Sequence, residues 1–192
     1  HGARPEGSID PVVIAAHIVT ASQTIVSRNI AASDTAVLSF TQVHSGDAYN
    51  VIPDEARIMG TARTYTRETM TKVEENLRRT AEGIALSMGA KAELDFRFIF
   101  APLVNDAEET AFAADCAAEL VGEDKIERNA DKLMGSEDFS FMLEKSPGAY
   151  IRIGNGENSA QVHNSSYDFN DEIIPLGVAY WSNLVEKKLA RR

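Results

Sequence analysis

The order of apolar and polar positions at the start of the chain predicts one helix followed by two strands. Asp10-Pro11 is a helix start, because Asp supplies a capping oxygen and Pro suits the first helical position. Apolar residues at helical spacing continue to about residues 28–29. Branched and aromatic residues then predict strands at about 35–43 and 55–65, separated by turn signals.

A second helix and a third strand follow. The helix is predicted over residues 67–88, and Gly89 is placed to end it in the left-handed conformation. Its apolar positions, which share one face, are Val73, Leu77, Ala81, Ile84 and Met88. Residues 92–100 alternate apolar and polar positions, which is typical of a strand with one buried face.

The resulting order, helix-strand-strand-helix-strand, matches a split βαβ sandwich without its first strand. The sheet of such a fold has an unpaired edge where that strand is missing, and proteins normally cover such edges. We therefore expect the parent protein to contain this strand before residue 1. The opening HGARPEG, which has no Met and resembles the middle of a loop, agrees with that expectation.

Pro102 to Asn105 is predicted to be a domain junction. The elements expected after it are a helix at 107–121, a short helix opening at Ser136, a strand at 149–153, a long loop at 154–173 and a closing helix at 175–189. These elements are too few for a doubly wound sheet. They indicate the completion of a larger α/β domain.

Composition narrows the class of protein. Hydrophobic residues make up 44% and charged residues 25%, as in a globular protein, and no apolar run is long enough to cross a bilayer. A net charge of -10 argues against nucleic acid as a partner. The basic residues at the end are expected in the last turn of a helix: Lys187, Lys188, Arg191 and Arg192. Cys116, the only cysteine, indicates a buried structural thiol and a reducing, cytoplasmic compartment.

The four histidines are His1, His17, His44 and His163. A catalytic zinc needs about three protein ligands, and the sequence contains no HExxH, CxxC or other self-contained metal motif. His17, within the first helix, is expected to be a surface or packing residue, and His44 to be structural. The chain is therefore not expected to complete a metal site alone.

His163 lies in the polar loop GNGENSAQVHNSSYDFNDE, and long irregular loops within compact domains are often functional. Asp168 and Asp171 follow it and could orient the imidazole of a metal ligand. The alternative is a loop that Asx and Ser turns hold together. The residue types of this loop are compatible with both interpretations, a metal-ligand loop and a loop held together by turns.

Two further segments could contact a substrate. In MGSEDF, Ser136 is a candidate helix cap with Glu137 and Asp138 in the first turn, and capping is preferred over an anion site. Near the end of the second strand, the Arg63 guanidinium could bind a carboxylate in bidentate fashion. An exposed edge-strand Arg is the commoner situation. Asn50, before Val51-Ile52-Pro53, belongs to the same candidate region.

These segments together resemble the aminoacylase/carboxypeptidase superfamily of two-metal amidohydrolases, and especially its hippurate hydrolase and indoleacetyl-amino-acid hydrolase branch. The matching stretches cover nearly the whole chain in the family's order: HGARP, IDPVVIAAHIV, QTIVSRN, YNVIPDEARIMGTARTY, VND, MGSEDFSFML, PGAYIRIGNG and VHNSSYDFNDEIIPLGV. Each motif is weak, whereas the ordered set is specific.

The resemblance implies a ferredoxin-like lid, which is also the dimerisation domain, at residues 1–102. Residues 103–192 would be the C-terminal portion of the catalytic α/β domain of a metallo-exopeptidase. Family members are roughly twice this length, and the missing half carries most metal ligands and the general-base glutamate. The implied cofactors are two divalent ions (zinc, manganese, nickel or cobalt), with at most one ligand retained here.

The resemblance also assigns residues. His163 matches the family's C-terminal metal ligand, and His1 matches the lid histidine that polarises the scissile carbonyl in the partner subunit's site. Asn50 and Arg63 match lid residues that hold the substrate, with Arg63 on its carboxylate. The segment that borders the site is Gly135, Ser136 and Glu137. Members of this branch often carry Pro-His where this chain has Pro5-Glu6, which leaves the substrate preference open.

The implied function is metal-dependent hydrolysis of the amide bond of N-acyl amino acids by a homodimer, with this chain inactive alone. Two alternatives stay open. One is a truncated dimerisation or binding module without activity. The other is a dipeptidase of the same superfamily, which shares the chemistry but accepts an acyl group that carries an amine.

Overall fold

The computed structural model describes residues 1–189, which form two compact units. The first unit comprises His1–Pro102 together with Met134–Ser136. The second comprises Leu103–Leu133 and the chain from Glu137 onward. Each unit is a mixture of helices and extended segments or strands and is described by itself.

The first unit begins with the predicted helix, α1, at Pro11–Thr24. The Asp10 carboxylate accepts hydrogen bonds from the backbone N–H groups of Val12 (2.9 Å) and Val13 (3.4 Å), as the capping prediction requires. A π-helical turn, Ile25–Asn29, continues α1. Their buried residues are Ile14, Ala15, Ile18, Ser22 and Ile25.

Two antiparallel strands follow, β1 at Ala36–His44 and β2 at Arg57–Thr64, as predicted. The register shifts between Phe40 and Gln42, so β1 carries one extra residue in a bulge. Gly60 lies opposite Phe40, and a Cβ atom there would stand 2.3 Å from the Ser39 carbonyl oxygen. The close approach of the two backbones at the bulge therefore requires glycine.

Helix α2 extends over Arg67–Ser87, and the Thr66 hydroxyl accepts a hydrogen bond from the Thr69 N–H. Gly89 adopts the left-handed conformation that the sequence predicted, with φ of 79°. The buried residues of α2 are Thr69, Val73, Leu77, Ala81 and Ala85. The predicted face is thus correct along most of α2, whereas Met88 at its end is exposed.

The core of this unit lies between α1 and α2 on one side and the strands on the other. One cluster centres on Ile14, Ile18, Ala81 and Ala85 and includes Ile58 and Ala92. The second centres on Ile25, Val73 and Leu77 and includes Leu38, Phe40, Ala62, Leu94 and Phe96. Two helices therefore pack on one face of the two-stranded sheet.

The strand predicted at 92–100 is wrong as a strand, and its predicted alternation holds only for residues 92–96, because Phe98 and Phe100 are exposed. Ala92, Leu94 and Phe96 are half-buried against the helices, while the residues between them are exposed. Within residues 1–189 this segment forms no backbone ladder, and the sheet has two strands. Alternation reports the burial of side chains, whereas a strand also needs a neighbouring backbone, which this segment lacks.

The second unit is built on α3, Ala107–Val121, and two later helices, α4 at Phe139–Leu143 and α5 at Ile174–Lys188. Asp106 caps α3 through hydrogen bonds of 3.0 Å from the N–H groups of Glu108 and Glu109. Single helical turns are found at Pro5–Gly7 in the first unit and at Glu123–Lys125 and Asp171–Ile173 in this one.

Helices α3 and α5 pack against each other around Cys116 and Tyr180, both of which are buried. The Asn183 amide donates to the Cys116 carbonyl oxygen (3.0 Å). Two ion pairs also join these helices, Lys187 with Glu119 and Lys188 with Glu109 (2.7 Å for the second). The lysines lie in the last turn of α5, as predicted, while residues 190–192 are outside the described part of the chain.

Two details of this unit differ from the sequence predictions. The short helix opens at Phe139 instead of Ser136, and Asp138 at its cap position makes no side-chain capping bond. Residues 149–153 are extended but are not a strand, because the backbone N–H and C=O of Tyr150 bond to the Asn105 side chain (2.8 and 3.0 Å) instead of another backbone. In the described residues, no helix has the length and apolar character needed to span a membrane.

Candidate functional site

In the first unit, the turn at His1 meets the loop that contains Asn50. The Gly2 N–H donates to the Asn50 carbonyl oxygen (2.8 Å). A Cβ atom on Gly2 would stand 3.0 Å from the same oxygen, so the contact is close enough to favour glycine. Two predicted site residues, His1 and Asn50, are thereby held on adjoining loops.

The imidazole of His1 has a defined hydrogen-bond role. The Ala3 N–H donates to its Nδ1 (3.1 Å), and the Arg4 N–H donates to the His1 carbonyl oxygen (2.8 Å). Because Nδ1 accepts, the neutral ring carries its proton on Nε2. The exposed side chain of His1 can therefore donate a hydrogen bond from Nε2 to a carbonyl oxygen.

Arg63 is half-buried near the end of β2, one residue before Thr64. Its neighbour Ala62 packs against the helix-covered core, so Arg63 and Thr61 lie on the opposite face of the sheet. The guanidinium Nη1 donates to Thr61 Oγ1 (2.7 Å) and to the Ala62 carbonyl oxygen (2.9 Å). These two bonds anchor one end of a guanidinium that has five donors in all.

The segment at Gly135, Ser136 and Glu137 is divided between the units after Ser136. A Cβ atom on Gly135 would meet no other atom within 4 Å. In the second unit, the Glu137 carbonyl oxygen accepts from the Ser140 hydroxyl (2.7 Å). Burial raises the pKa of the Tyr150 phenol, and a hydrogen bond to the Glu137 carboxylate raises it further. Glu137 is thus tied to the extended segment at 149–153.

His163 lies in the exposed loop of the second unit and has a left-handed backbone, with φ of 65°. It is the one residue other than glycine with positive φ between residues 1 and 189. Such conformations are uncommon for side-chain-bearing residues and concentrate at functional sites. Asn164 beside it forms an Asx turn, because its side-chain oxygen accepts a hydrogen bond from the Ser166 N–H (2.8 Å). The alternative prediction, a loop held together by Asx turns, is therefore also supported.

Two features of this loop were not foreseen. Within the described chain neither Asp168 nor Asp171 hydrogen-bonds to the His163 ring, so the predicted orienting carboxylates are wrong for this structure. Asn155 instead closes the loop: its amide donates to the Asp168 carbonyl oxygen (2.7 Å) and accepts from the Asn170 N–H (2.8 Å). The only sequence signal was an Asn between two glycines in GNG.

The other candidate ligands are dispersed. His17 is exposed on α1, and His44 is exposed at the end of β1 with Nε2 3.0 Å from Gln42 Oε1. Cys116 is buried, and burial raises the pKa of its thiol, which suits a structural residue. Residues 1–189 contain no group of three His, Cys, Asp or Glu side chains positioned to hold a metal ion.

Residues 2–187 match the family model described as peptidase family M20/M25/M40. The chain belongs to this family. M20 proteins include hydrolases that act on amide bonds, so the amidohydrolase family predicted from the ordered motifs is confirmed.

Among the curated M20 relatives, hippurate hydrolase from Campylobacter jejuni is 36% identical over 189 residues, which cover 98% of this chain and 49% of that protein. N-acetylcysteine deacetylase from Bacillus subtilis is 36% identical over 184 residues, 96% of this chain and 47% of that protein. A dinuclear metal-binding M20 peptidase from Bacillus subtilis superposes with a TM-score of 0.75 at 32% identity, over 94% of this chain and 47% of that structure.

The chain therefore spans about half the length of the curated M20 relatives that it matches. A single imidazole such as His163 suits a zinc-type site, but such a site needs about three protein ligands. The ligands present in residues 1–189 do not form such a set. A metal site that includes His163 would therefore need ligands from outside residues 1–189.

Proposed function

We propose that this chain is the C-terminal half of an M20 enzyme that hydrolyses the amide bond of N-acyl amino acids. The observation that carries the proposal is the match of residues 2–187 to the family, with hippurate hydrolase and N-acetylcysteine deacetylase among the relatives. Both relatives are named for release of an acyl group from an amino acid.

Residues 1–102 would be the lid and dimerisation domain of this enzyme, a ferredoxin-like sandwich without its first strand. Helices α1 and α2 over β1, β2 and the extended segment at 92–100 support this assignment. Residues 103–192 would be the C-terminal portion of the catalytic α/β domain. The homodimer would form through the lid, where β1 has an unpaired edge among the described strands.

The lid residues would bind and polarise the substrate. His1 would donate from Nε2 to the scissile carbonyl oxygen, in line with the acceptor role of its Nδ1. Asn50, on the adjoining loop, would hold the acyl-amino-acid backbone. Arg63 would bind the free carboxylate with the donors that Thr61 and Ala62 leave available.

The second group of residues would border and complete the metal site. His163 would supply one ligand to a pair of divalent ions (zinc, manganese, nickel or cobalt), and the M20 peptidase from Bacillus subtilis described as dinuclear supports two ions. Gly135, Ser136 and Glu137 would line the substrate side. When bound, the ions would activate water for attack on the amide.

The test uses the enzyme extended by the sequence that its gene encodes before His1. We expect hydrolysis of hippurate or N-acetylcysteine after loading with zinc or manganese, and loss of most activity and of bound metal in His163→Ala. His17→Ala, which changes an exposed histidine on α1, is the matched control. A metal-loaded, folded enzyme that cleaves no N-acyl amino acid or dipeptide would contradict the proposal.

The same experiment separates the alternatives. A dimerisation or binding module without activity would form a stable dimer that takes up no metal, whether it is tested as the 192-residue chain or as the enzyme extended before His1. A dipeptidase would cleave substrates with a free amine in preference to hippurate.

We place the enzyme in the cytoplasm because its one cysteine in 192 residues, Cys116, is unpaired and buried.

A further inference from the structure

The loop that carries His163 begins with an asparagine followed by glycine, Asn155-Gly156, the one such pair in the chain. Asparagine is a thermally labile residue, because its carboxamide can lose ammonia when the next backbone nitrogen attacks it. Glycine favours this attack, since it has no side chain to keep its nitrogen away from the carboxamide. The Gly156 N–H donates to no backbone carbonyl oxygen within residues 1–189. The attacking nitrogen of this pair is therefore not held in a backbone hydrogen bond.

The Asn155 carboxamide, by contrast, is bonded at both of its ends. Its Nδ2 donates to Ser159 Oγ (2.6 Å) and to the Asp168 carbonyl oxygen (2.7 Å). Its Oδ1 accepts from the Asn170 N–H (2.8 Å). These three hydrogen bonds, here called the Asn155 clasp, close the loop at 156–169 at its base.

The clasp requires the two N–H groups of the carboxamide. A carboxylate at the same position has acceptors only. Its second oxygen would face the Asp168 carbonyl oxygen, which is also an acceptor, so an attraction would become a repulsion between two oxygens. The Ser159 hydroxyl already donates to the Ala160 carbonyl oxygen (3.1 Å) and would not replace the lost donors. Aspartate can therefore keep only the bond from the Asn170 N–H.

We propose that Asn155 is a site of deamidation, and that its conversion to aspartate or isoaspartate irreversibly opens the loop at 156–169, which carries His163. The Gly156 nitrogen loses its proton to a base in the solvent and attacks Asn155 Cγ. The new N–Cγ bond replaces the Cγ–Nδ2 bond, and Nδ2 takes a proton from water and leaves as ammonia. Water then hydrolyses the succinimide: opening at Cγ gives aspartate, and opening at the main-chain carbonyl carbon gives isoaspartate. Water is the only co-reactant, and nothing is oxidised or reduced.

Opening of the loop sets the rate of this reaction. Loss of Nδ2 as ammonia breaks both bonds that it makes in the clasp. Residues 161–169 are all exposed, and segments with few buried contacts open at a low cost in free energy. The reaction therefore proceeds from the opened loop, where the carboxamide is free. Because the product cannot restore the clasp, a loop that has reacted stays open. The proposal concerns the chain itself and does not depend on hydrolytic activity.

The first test measures the reaction in the 192-residue chain, which is incubated in mildly alkaline buffer at a temperature below its unfolding transition. Tandem mass spectrometry follows the mass gain of deamidation at each asparagine. Asn158, an exposed asparagine of the same loop that is followed by serine, is the internal control. We expect deamidation at Asn155 to be several-fold faster than at Asn158. An equal or slower reaction at Asn155 would overturn the proposal.

A pair of serine variants tests the protective role of the clasp. Ser159→Ala removes one acceptor of Nδ2 and leaves the reactive pair Asn155-Gly156 unchanged. Ser165→Ala removes an exposed hydroxyl from the same loop and is the matched control. We expect Ser159→Ala to speed deamidation at Asn155 several-fold and Ser165→Ala to leave its rate unchanged. Equal rates in the two variants would contradict control of the reaction by the clasp.

The structural consequence is measured by amide hydrogen exchange. Asn155→Asp supplies the reaction product in uniform form, and Asn158→Asp adds the same charge to the loop without touching the clasp. We expect exchange within 156–169 to be several-fold faster in Asn155→Asp and in incubated protein that has deamidated at Asn155. We expect Asn158→Asp to exchange like the unmodified chain. Equal exchange in the two aspartate variants would show that deamidation does not open the loop, and the proposal would be wrong.

Discussion

Ser22 is a polar side chain in an apolar setting. It lies on the buried face of α1, 0% exposed, and its Oγ has no hydrogen-bond partner in the part of the chain that the structure describes. A buried hydroxyl without a partner loses its bonds to water and gains nothing in exchange, a penalty of about 1–3 kcal/mol.

We therefore expect Ser22→Ala to raise the free energy of unfolding by about 1 kcal/mol. Urea denaturation of the two proteins measures the difference. Ser27→Ala is the control, because its exposed hydroxyl donates to the Gln23 carbonyl (3.2 Å), and we expect almost no change. A less stable Ser22→Ala would mean that this hydroxyl has a partner in solution.

Asn155 determines the shape of the His163 loop. Residues 161–169 are all exposed, so no core packing holds them, and the bonds of Asn155 to Asp168 and Asn170 close the loop at its base. Loops with few buried contacts open at a low cost in free energy, so the two hydrogen bonds of Asn155 are important for keeping this loop closed.

We expect Asn155→Ala to speed amide hydrogen exchange in residues 156–169 while the exchange of α3 and α5 stays unchanged. Mass spectrometry of the deuterated protein resolves the two regions. Asn158→Ala, an exposed asparagine in the same loop, should have no effect. In the extended enzyme we expect Asn155→Ala to weaken metal affinity, because the loop that carries His163 would lose the two hydrogen bonds that close it. Unchanged loop exchange would show that the clasp is dispensable.

The β1–β2 hairpin depends on one glycine at its bulge. Substituting Gly60 places a Cβ 2.3 Å from the Ser39 carbonyl oxygen and 3.1 Å from the Phe40 Cα, and both neighbours are backbone atoms that cannot rotate away. The two strands must separate or lose register to accept it.

We expect Gly60→Ala to lower the free energy of unfolding by about 1–3 kcal/mol, the usual range for overpacking. Gly83→Ala is the matched control. Gly83 lies in the exposed interior of α2 with no atom within 4 Å of its Cβ position, so Ala should stabilise the helix by about 0.5–1 kcal/mol. Thermal unfolding of both variants gives the comparison, and equal effects would contradict the bulge argument.

The extended segment at 92–100 shows how an element depends on its neighbours. Ala92, Leu94 and Phe96 pack against α1 and α2, but within residues 1–189 the segment forms no ladder with a strand. We expect its amides to exchange rapidly in the 192-residue chain and to be protected in the extended enzyme, where a further strand can pair with it. Protection in the chain alone would show that the segment already has a strand partner.

Residues 1–189 contain no three His, Cys, Asp or Glu side chains positioned to hold a metal ion, and this predicts how the 192-residue chain responds to added metal. A ligand that binds only the folded state stabilises it by RT ln(1 + [L]/Kd). We expect zinc or chelator to leave the Tm of the 192-residue chain unchanged and to shift the Tm of the extended enzyme. A large zinc-dependent shift in the chain alone would reveal a site that His163 completes with residues of this chain.

Local chemistry accounts for most of the elements. The caps at Asp10, Thr66 and Asp106 and the left-handed Gly89 depend on residues within a few positions, so their location follows from sequence. The ordered motifs likewise identify the family, because that requires only the residues and their order. The roles of His1, Asn50, Arg63 and His163 remain predictions.

Other features depend on contacts between distant residues, which periodicity does not report. The segment at 92–100 lacks a strand partner in the described residues. The bonds of Asn105 to Tyr150 and of Asn155 to Asn170 join residues that lie far apart in the sequence. The same reason applies to α5, where spacing alone shows apolar residues on two sides of the helix. Which side is covered is set by the packing of α3, and therefore by the tertiary structure.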